Sequence, residues 1–176
     1  NEADVNWDVV QALKTKLEGQ GAYVVVAARL STRKERVSDA IAKCAALDLN
    51  NDGITDGRKC GVLVSVHHNG SSDPTHDGTL VIYNEKQDIP LATALHDSLI
   101  AGLGLNNEGY LSGGYGMTVY GHLVSALTEA YYITDDDEAL AWRNGTRTPQ
   151  EVDAQIVGLT NYFASQTSGG KGGKPR

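Results

Sequence analysis

A basic face is missing from this sequence. Fifteen Lys and Arg stand against twenty-two Asp and Glu, for a formal net charge of −7. The few basic residues that cluster, Lys171, Lys174 and Arg176, lie at the very end. Nucleic-acid binding rests on a basic surface, so no nucleic-acid partner is expected. Long apolar runs are missing as well. The longest, Tyr23 to Ala28 and Gly61 to Val66, are strand-sized, whereas a membrane span needs roughly 20 apolar residues in succession. No membrane span is expected. The sequence opens with neither Met nor a charged-then-apolar leader, and its start reads as processed or trimmed. Cysteine is scarce, with only Cys44 and Cys60.

What remains is enough for one domain: 176 residues, 40% of them hydrophobic, can enclose a two-sided core. Val5, Val9, Ala12, Leu13 and Leu17 recur at helical spacing before Gly19 and Gly21. Tyr23 to Ala28 then reads as a strand buried on both faces. A helix fits Thr32 to Leu47, and a second buried strand runs from Gly61 to the polar end at Asn69. Gly78 to Tyr83 predicts a strand, and Pro90 to Leu103 a helix stopped by Gly104. Leu105 to Gly116, rich in Gly and Asn, reads as a long surface loop. Met117–Tyr120 and Leu123–Ala130 follow as strands, and Asp135–Arg143 and Pro149–Phe163 as helices. The alternation predicts an α/β domain over 1–165, a three-layer sandwich with a mostly parallel twisted sheet flanked by helices. Residues 166–176, glycine-rich and without apolar side chains, read as a flexible tail or linker.

In such folds, sites are built at the polar ends of buried strands. Two segments stand there. "LVSVHHNG" brings His67, His68 and Asn69 to the end of an apolar run. It is either a site that holds an imidazole rigidly or a pair of surface histidines. "SALTEAYYI" sets Glu129 in apolar surroundings, where an ionised carboxylate is costly unless paired or metal-associated. The plainer alternative is a lone Glu at a strand's last exposed position.

Five segments in order resemble the zinc-dependent N-acetylmuramoyl-L-alanine amidases of the type 3 family, from Glu2 to about Phe163. "NEADVNWDVVQALKTKLEGQGAYVVVAAR" resembles the family's ligand-bearing helix start, helix, Gly turn and next strand. "KERVSDAIAK" resembles its Arg-containing helix and "VSVHHN" its second histidine strand. "GTLVIYN" resembles the strand after that, and "SALTEAYYITDDDEA" the glutamate strand with its acidic helix. The resemblance implies zinc held by Glu2 and His67, with Glu129 as acid/base and peptidoglycan as substrate. The bond cut would be the amide between N-acetylmuramic acid and L-alanine, outside the cytoplasm. Three protein ligands and an open fourth position let zinc lower the pKa of water to about 7. A nearby Glu can take the water proton and return it to the leaving amine. His68 could replace His67 as ligand, but strand alternation sends only one of them into the site.

The departures from the family are specific. Its first histidine, on a Gly-rich turn upstream of Glu2, has no counterpart in the sequence, and Glu108 stands where the family often carries Arg. A cleaved N-terminal segment or a neighbouring chain is therefore expected to complete the sheet and the ligand set. Residues 48–60, which the family pattern does not require, resemble a calcium loop. Asp48, Asn50, Asp52, Ile54 and Asp56 occupy ligand positions, and Gly53 the turn position. Lys59 stands where the final bidentate acid belongs. Cys44 and Cys60 bracket the insertion, so that a disulfide would staple its ends; two unpaired thiols are the alternative. A non-catalytic, calcium-stabilised surface or peptidoglycan-binding protein on the same fold is the competing reading.

Overall fold

The computed structural model describes residues 1–169. The first helix, α1 (Glu2–Gly19), opens at Asn1, whose side chain accepts from the Asp4 N–H, and it buries Val5, Val9 and Leu13. Glu2 and Asp4 sit in its first turn, where the helix dipole favours negative charge. Helix α2 (Arg33–Ala45) opens with a capping box between Thr32 and Glu35. Strands β1 (Leu63–Asn69) and β2 (Thr79–Tyr83) follow. Helix α3 (Ile89–Leu103) has Pro90 in its first turn and ends at Gly104, whose φ of 71° is the left-handed cap that glycine adopts without strain. Next come β3 (Asn107–Ser112), β4 (Ser125–Tyr132), α4 (Asp136–Arg143), capped by Asp135, and α5 (Arg147–Gly169).

The strands form one mixed sheet in the order β1-β4-β2-β3. The β1–β4 and β2–β3 ladders are parallel and the β2–β4 ladder is antiparallel. Central β4 is buried at every position except Glu129, which explains why it reads as an apolar run. One face carries α1, α3 and α5. Val81, Leu91, Leu95, Leu99, Ala126 and Tyr131 form the fully buried centre of that layer. Helices α3 and α5 approach so closely that a Cβ on Gly158 would lie 2.9 Å from the Ala94 carbonyl oxygen. The other face is covered by α2, where Val37 and Ala40 pack with Leu63, Met117 and Leu123. Helices on both faces of a sheet give the expected three-layer α/β architecture.

Four segments depart from the sequence expectation. Tyr23–Ala28 is no strand; among the described residues β1 is an edge, and no ladder reaches this run. Its backbone is held instead by side chains: Asp39 accepts from the Ala28 N–H at 2.7 Å, and Lys43 donates to the Val26 carbonyl at 2.9 Å. The stretch 105–116 contains β3, because ladder bonds to β2 require only backbone and leave its side chains exposed on an edge. Met117–Tyr120 is a turn, closed by the Tyr120 N–H on the Met117 carbonyl. Its apolar residues cap α2 without pairing. Helix α5 continues past Phe163 through 166–169, where the Thr167 hydroxyl bonds back to the Ala164 carbonyl. The rest of the expected tail, 170–176, lies outside the described residues.

Candidate active site

The ends of β1 and β4 meet the first turn of α1. His67 and Glu129 are register partners in the parallel β1–β4 ladder, so their side chains leave the sheet on the same face. His68 points the other way. The His67 side chain is 37% exposed and that of His68 0%, so of the two it is His67 that faces solvent. From α1, Glu2 reaches over so that its Oε1 lies 2.7 Å from His67 Nδ1. Partial burial works against the Glu2 charge. Hydrogen bonds from Asn6, His67 and the backbone N–H of His68 outweigh it and hold this carboxyl below the usual range.

Glu129 differs. Its Oε2 is buried and accepts no hydrogen bond. Desolvation first, and the negative charge of Glu2 second, push its pKa up to about 7, with only His68 opposing. A carboxyl that changes protonation near neutrality is suited to accept a proton and return it. Carboxylate and imidazole are donors that zinc takes readily, and the orphaned Glu129 oxygen belongs to the register partner of His67. Glu2 and His67 therefore fit a zinc site, as two of its ligands. Among the described residues no group of three or more His, Cys, Asp and Glu forms a complete metal cluster.

The expected calcium ligands lie elsewhere, between α2 and β1. Asp48 accepts from the Asp52 and Gly53 N–H groups, Asp52 from Ile54 N–H at 2.8 Å, and Asp56 from Leu49 N–H at 2.8 Å. The Asn50 amide donates to Asp52 at 2.9 Å. These oxygens are turned inward on their own loop, while the Ile54 side chain is exposed. Cys44 and Cys60 form the disulfide that closes this insertion, with Cα atoms 5.5 Å apart.

Sequence reasoning missed two groups. Glu108 lies 2.9 Å from His76 Nε2 and accepts from the Tyr132 hydroxyl at 2.9 Å. Burial, and then that acceptor, push the Tyr132 phenol up to about 12. The second group is a train behind Glu2, in which the half-buried Asn6 is joined to the buried pair His68 and Glu151. An acidic residue in the apolar stripe of α5 was its one signal, because Glu151 adjoins Val152 in a helix facing the core.

A three-layer α/β domain with a carboxylate and an imidazole face to face, beside a carboxyl titrating near neutrality, has the constitution of a hydrolytic enzyme. Comparison with known proteins specifies the family. The chain belongs to the N-acetylmuramoyl-L-alanine amidases of type 3, whose family profile matches residues 1–161. It is 25% identical over 170 residues to the N-acetylmuramoyl-L-alanine amidase LytC of Bacillus subtilis (strain 168). That match covers 92% of this chain and 31% of LytC, so the chain spans less than a third of that relative's length. Among solved structures, an N-acetylmuramoyl-L-alanine amidase from Clostridium difficile 630 shares its fold, with a TM-score of 0.78 and 20% identity over 94% of this chain and 86% of that one. The catalytic domain of CwlV from Bacillus (Paenibacillus) polymyxa var. colistinus gives 0.77 and 20% over 93% and 86%. The CwlD amidase of Clostridioides difficile, solved in complex with the GerS lipoprotein, gives 0.71 and 15% over 93% and 87%.

Proposed function

We propose that this chain hydrolyses the amide between N-acetylmuramic acid and L-alanine of peptidoglycan, outside the cytoplasm, in a zinc-dependent reaction. The observation that carries the reading is Glu129: a half-buried carboxyl whose Oε2 is buried and unpartnered, raised to about 7 and in register with His67. Glu2 and His67 would hold zinc. When bound, the metal supplies Lewis acidity that polarises the amide carbonyl and acidifies water. Glu129 takes the proton from the attacking water and delivers it to the departing nitrogen of L-alanine, so that a carboxylate stays on the lactyl group and an amine leaves. The disulfide Cys44–Cys60 is in keeping with an oxidising, extracytoplasmic setting.

Two ligands are short of the three protein ligands usual at a catalytic zinc. The third is proposed to arrive on a strand seated at the free edge of β1, between it and the run 23–30. That run carries apolar side chains and no ladder partner among the described residues. The strand would come from a separate peptide or from a neighbouring chain. Denaturing intact-mass measurement of the native particle tests this, with a second peptide or a partner chain expected; a lone chain with zinc fully bound would contradict it. The inward-turned oxygens of Asp48, Asn50, Asp52 and Asp56 support a calcium site in the 48–60 insertion, and a higher melting temperature in calcium than in chelator is expected. An identical melting curve in both would remove it.

Product chemistry tests the function itself. Zinc-loaded protein acting on purified peptidoglycan should expose N-terminal alanine, one amine per bond cut, and no reducing sugar ends. New reducing ends, or zinc-loaded protein that binds the wall without freeing alanine, would overturn the reading in favour of glycan cleavage or plain binding.

A further inference from the structure

Behind Glu2 a train of hydrogen bonds crosses three elements of the fold. Glu151 of α5 sets Oε2 2.9 Å from His68 Nε2 of β1, and both side chains are wholly buried. Gln155 donates to the other Glu151 oxygen at 2.8 Å. The opposite ring nitrogen, His68 Nδ1, lies 2.6 Å from Asn6 Oδ1 on α1. Asn6 in turn donates through Nδ2 to Glu2 Oε1 at 3.1 Å. The Tyr131 ring packs on His68 at 4.3 Å between centroids and fixes the imidazole plane.

The polarity of this train follows from its ends. A carboxylate oxygen can only accept from the Asn6 amide nitrogen, which leaves Asn6 Oδ1 to face the imidazole. Nδ1 of His68 must then carry a hydrogen. The Nε2···Oε2 gap needs one proton to be a hydrogen bond at all. Each member thus dictates the orientation of the next, from the core to the surface.

Packing does not account for it. A buried His–Glu pair seldom outdoes apolar residues of the same volume in stability, and here it lies next to the cluster of Val9, Leu13, Val66, Val152 and Ile156. What the train does reach is Glu2, a side chain 42% exposed in the first turn of a helix, where ends fray. We infer that His68, Glu151 and Asn6 are positioning residues that hold the Glu2 carboxylate in its metal-binding orientation. This rests on the reading of Glu2 and His67 as zinc ligands. Partners that orient a ligand from behind typically contribute 10–100-fold in metal affinity, and the effect here is placed in that range.

The test combines zinc affinity, by competition with a chromophoric chelator, with ring-proton NMR of the metal-free protein. Asn6→Leu and Glu151→Gln should each weaken zinc binding about 10–100-fold; Glu2→Gln should abolish it. Asn6 is only partly buried, so Asn6→Leu keeps the test open even where Glu151→Gln lowers folding. Wild-type protein should also show a His68 Nδ1–H resonance protected from exchange. Unchanged affinity in Asn6→Leu alongside loss in Glu2→Gln overturns the inference and leaves the zinc reading standing. Unchanged affinity in Glu2→Gln, or wild type that takes up no zinc, overturns the zinc reading and the inference with it. Absence of the protected ring proton also refutes the train.

Discussion

Two regions built from similarly apolar sequence end in different states. From β4 across β2 to α3 and α5, the apolar residues are sealed: Val81, Leu91, Leu95, Leu99 and Leu127 have no exposure. From Ala22 to Val62 the run Tyr23–Ala28 stays half-exposed, Tyr23 at 63%, and the segment is held by side-chain contacts and one disulfide. A strand is therefore a property of a pair. Val24 to Val26 have the β-branched character of Thr79, Val81 and Ile82 in β2, yet they lack a neighbour to supply the ladder.

The sharpest way to break the contrast is to cut the staple. Replacing Cys44 and Cys60 together by Ser should cost about 3 kcal/mol in the chain-entropy account of a loop this long. Hydrogen exchange should rise first across 22–62, while α3 and α5 keep their protection. Uniform loss of protection would show that the two regions melt as one. The opposite strike is at the sealed region. In Gly158→Ala, the new methyl meets the Ala94 carbonyl and Leu95 Cα, both at 2.9 Å. Overpacking of this kind costs about 1–3 kcal/mol, and here it should lower the global melting temperature without a separate local transition.

A smaller effect concerns pH. In the unfolded chain Glu129 loses its proton near the ordinary carboxylate value of 4.5, and in the folded metal-free protein near 7. Between those values the native state binds the extra proton, so stability falls as pH rises and the penalty is complete above 7. Glu129→Gln removes that penalty. Metal-free variant and wild type should melt together at pH 4, and at pH 8 the variant should be the more stable, by about 1–2 kcal/mol once solvent screening is allowed for. Equal melting at both values would mean that the carboxyl is not desolvated as the geometry requires.

Helices and central strands were legible from the sequence because their signals are local or apolar. Pro90 with Gly104 and the run of β4 each announce themselves within a few residues. The site was half legible. Glu129 was visible as a charge in an apolar run and His67 as the polar end of another, whereas their register partnership is a fact of tertiary pairing. Strand β3 was hidden because an edge strand needs no apolar alternation, and its Asn, Glu and Gly residues suggested a loop. The train of Asn6, His68 and Glu151 was hidden for a different reason: its members come from three elements separated by more than sixty residues at each step. No periodicity within any one element reports that meeting.

The most direct test of the account is release of stem peptide from peptidoglycan by wild type and by Glu129→Gln, both at the same measured zinc occupancy. The account predicts that the variant keeps its fold and its zinc and loses about 10²–10⁴-fold in rate, the usual contribution of a positioned acid/base. A zinc-bound Glu129→Gln protein that frees alanine at the wild-type rate would contradict it.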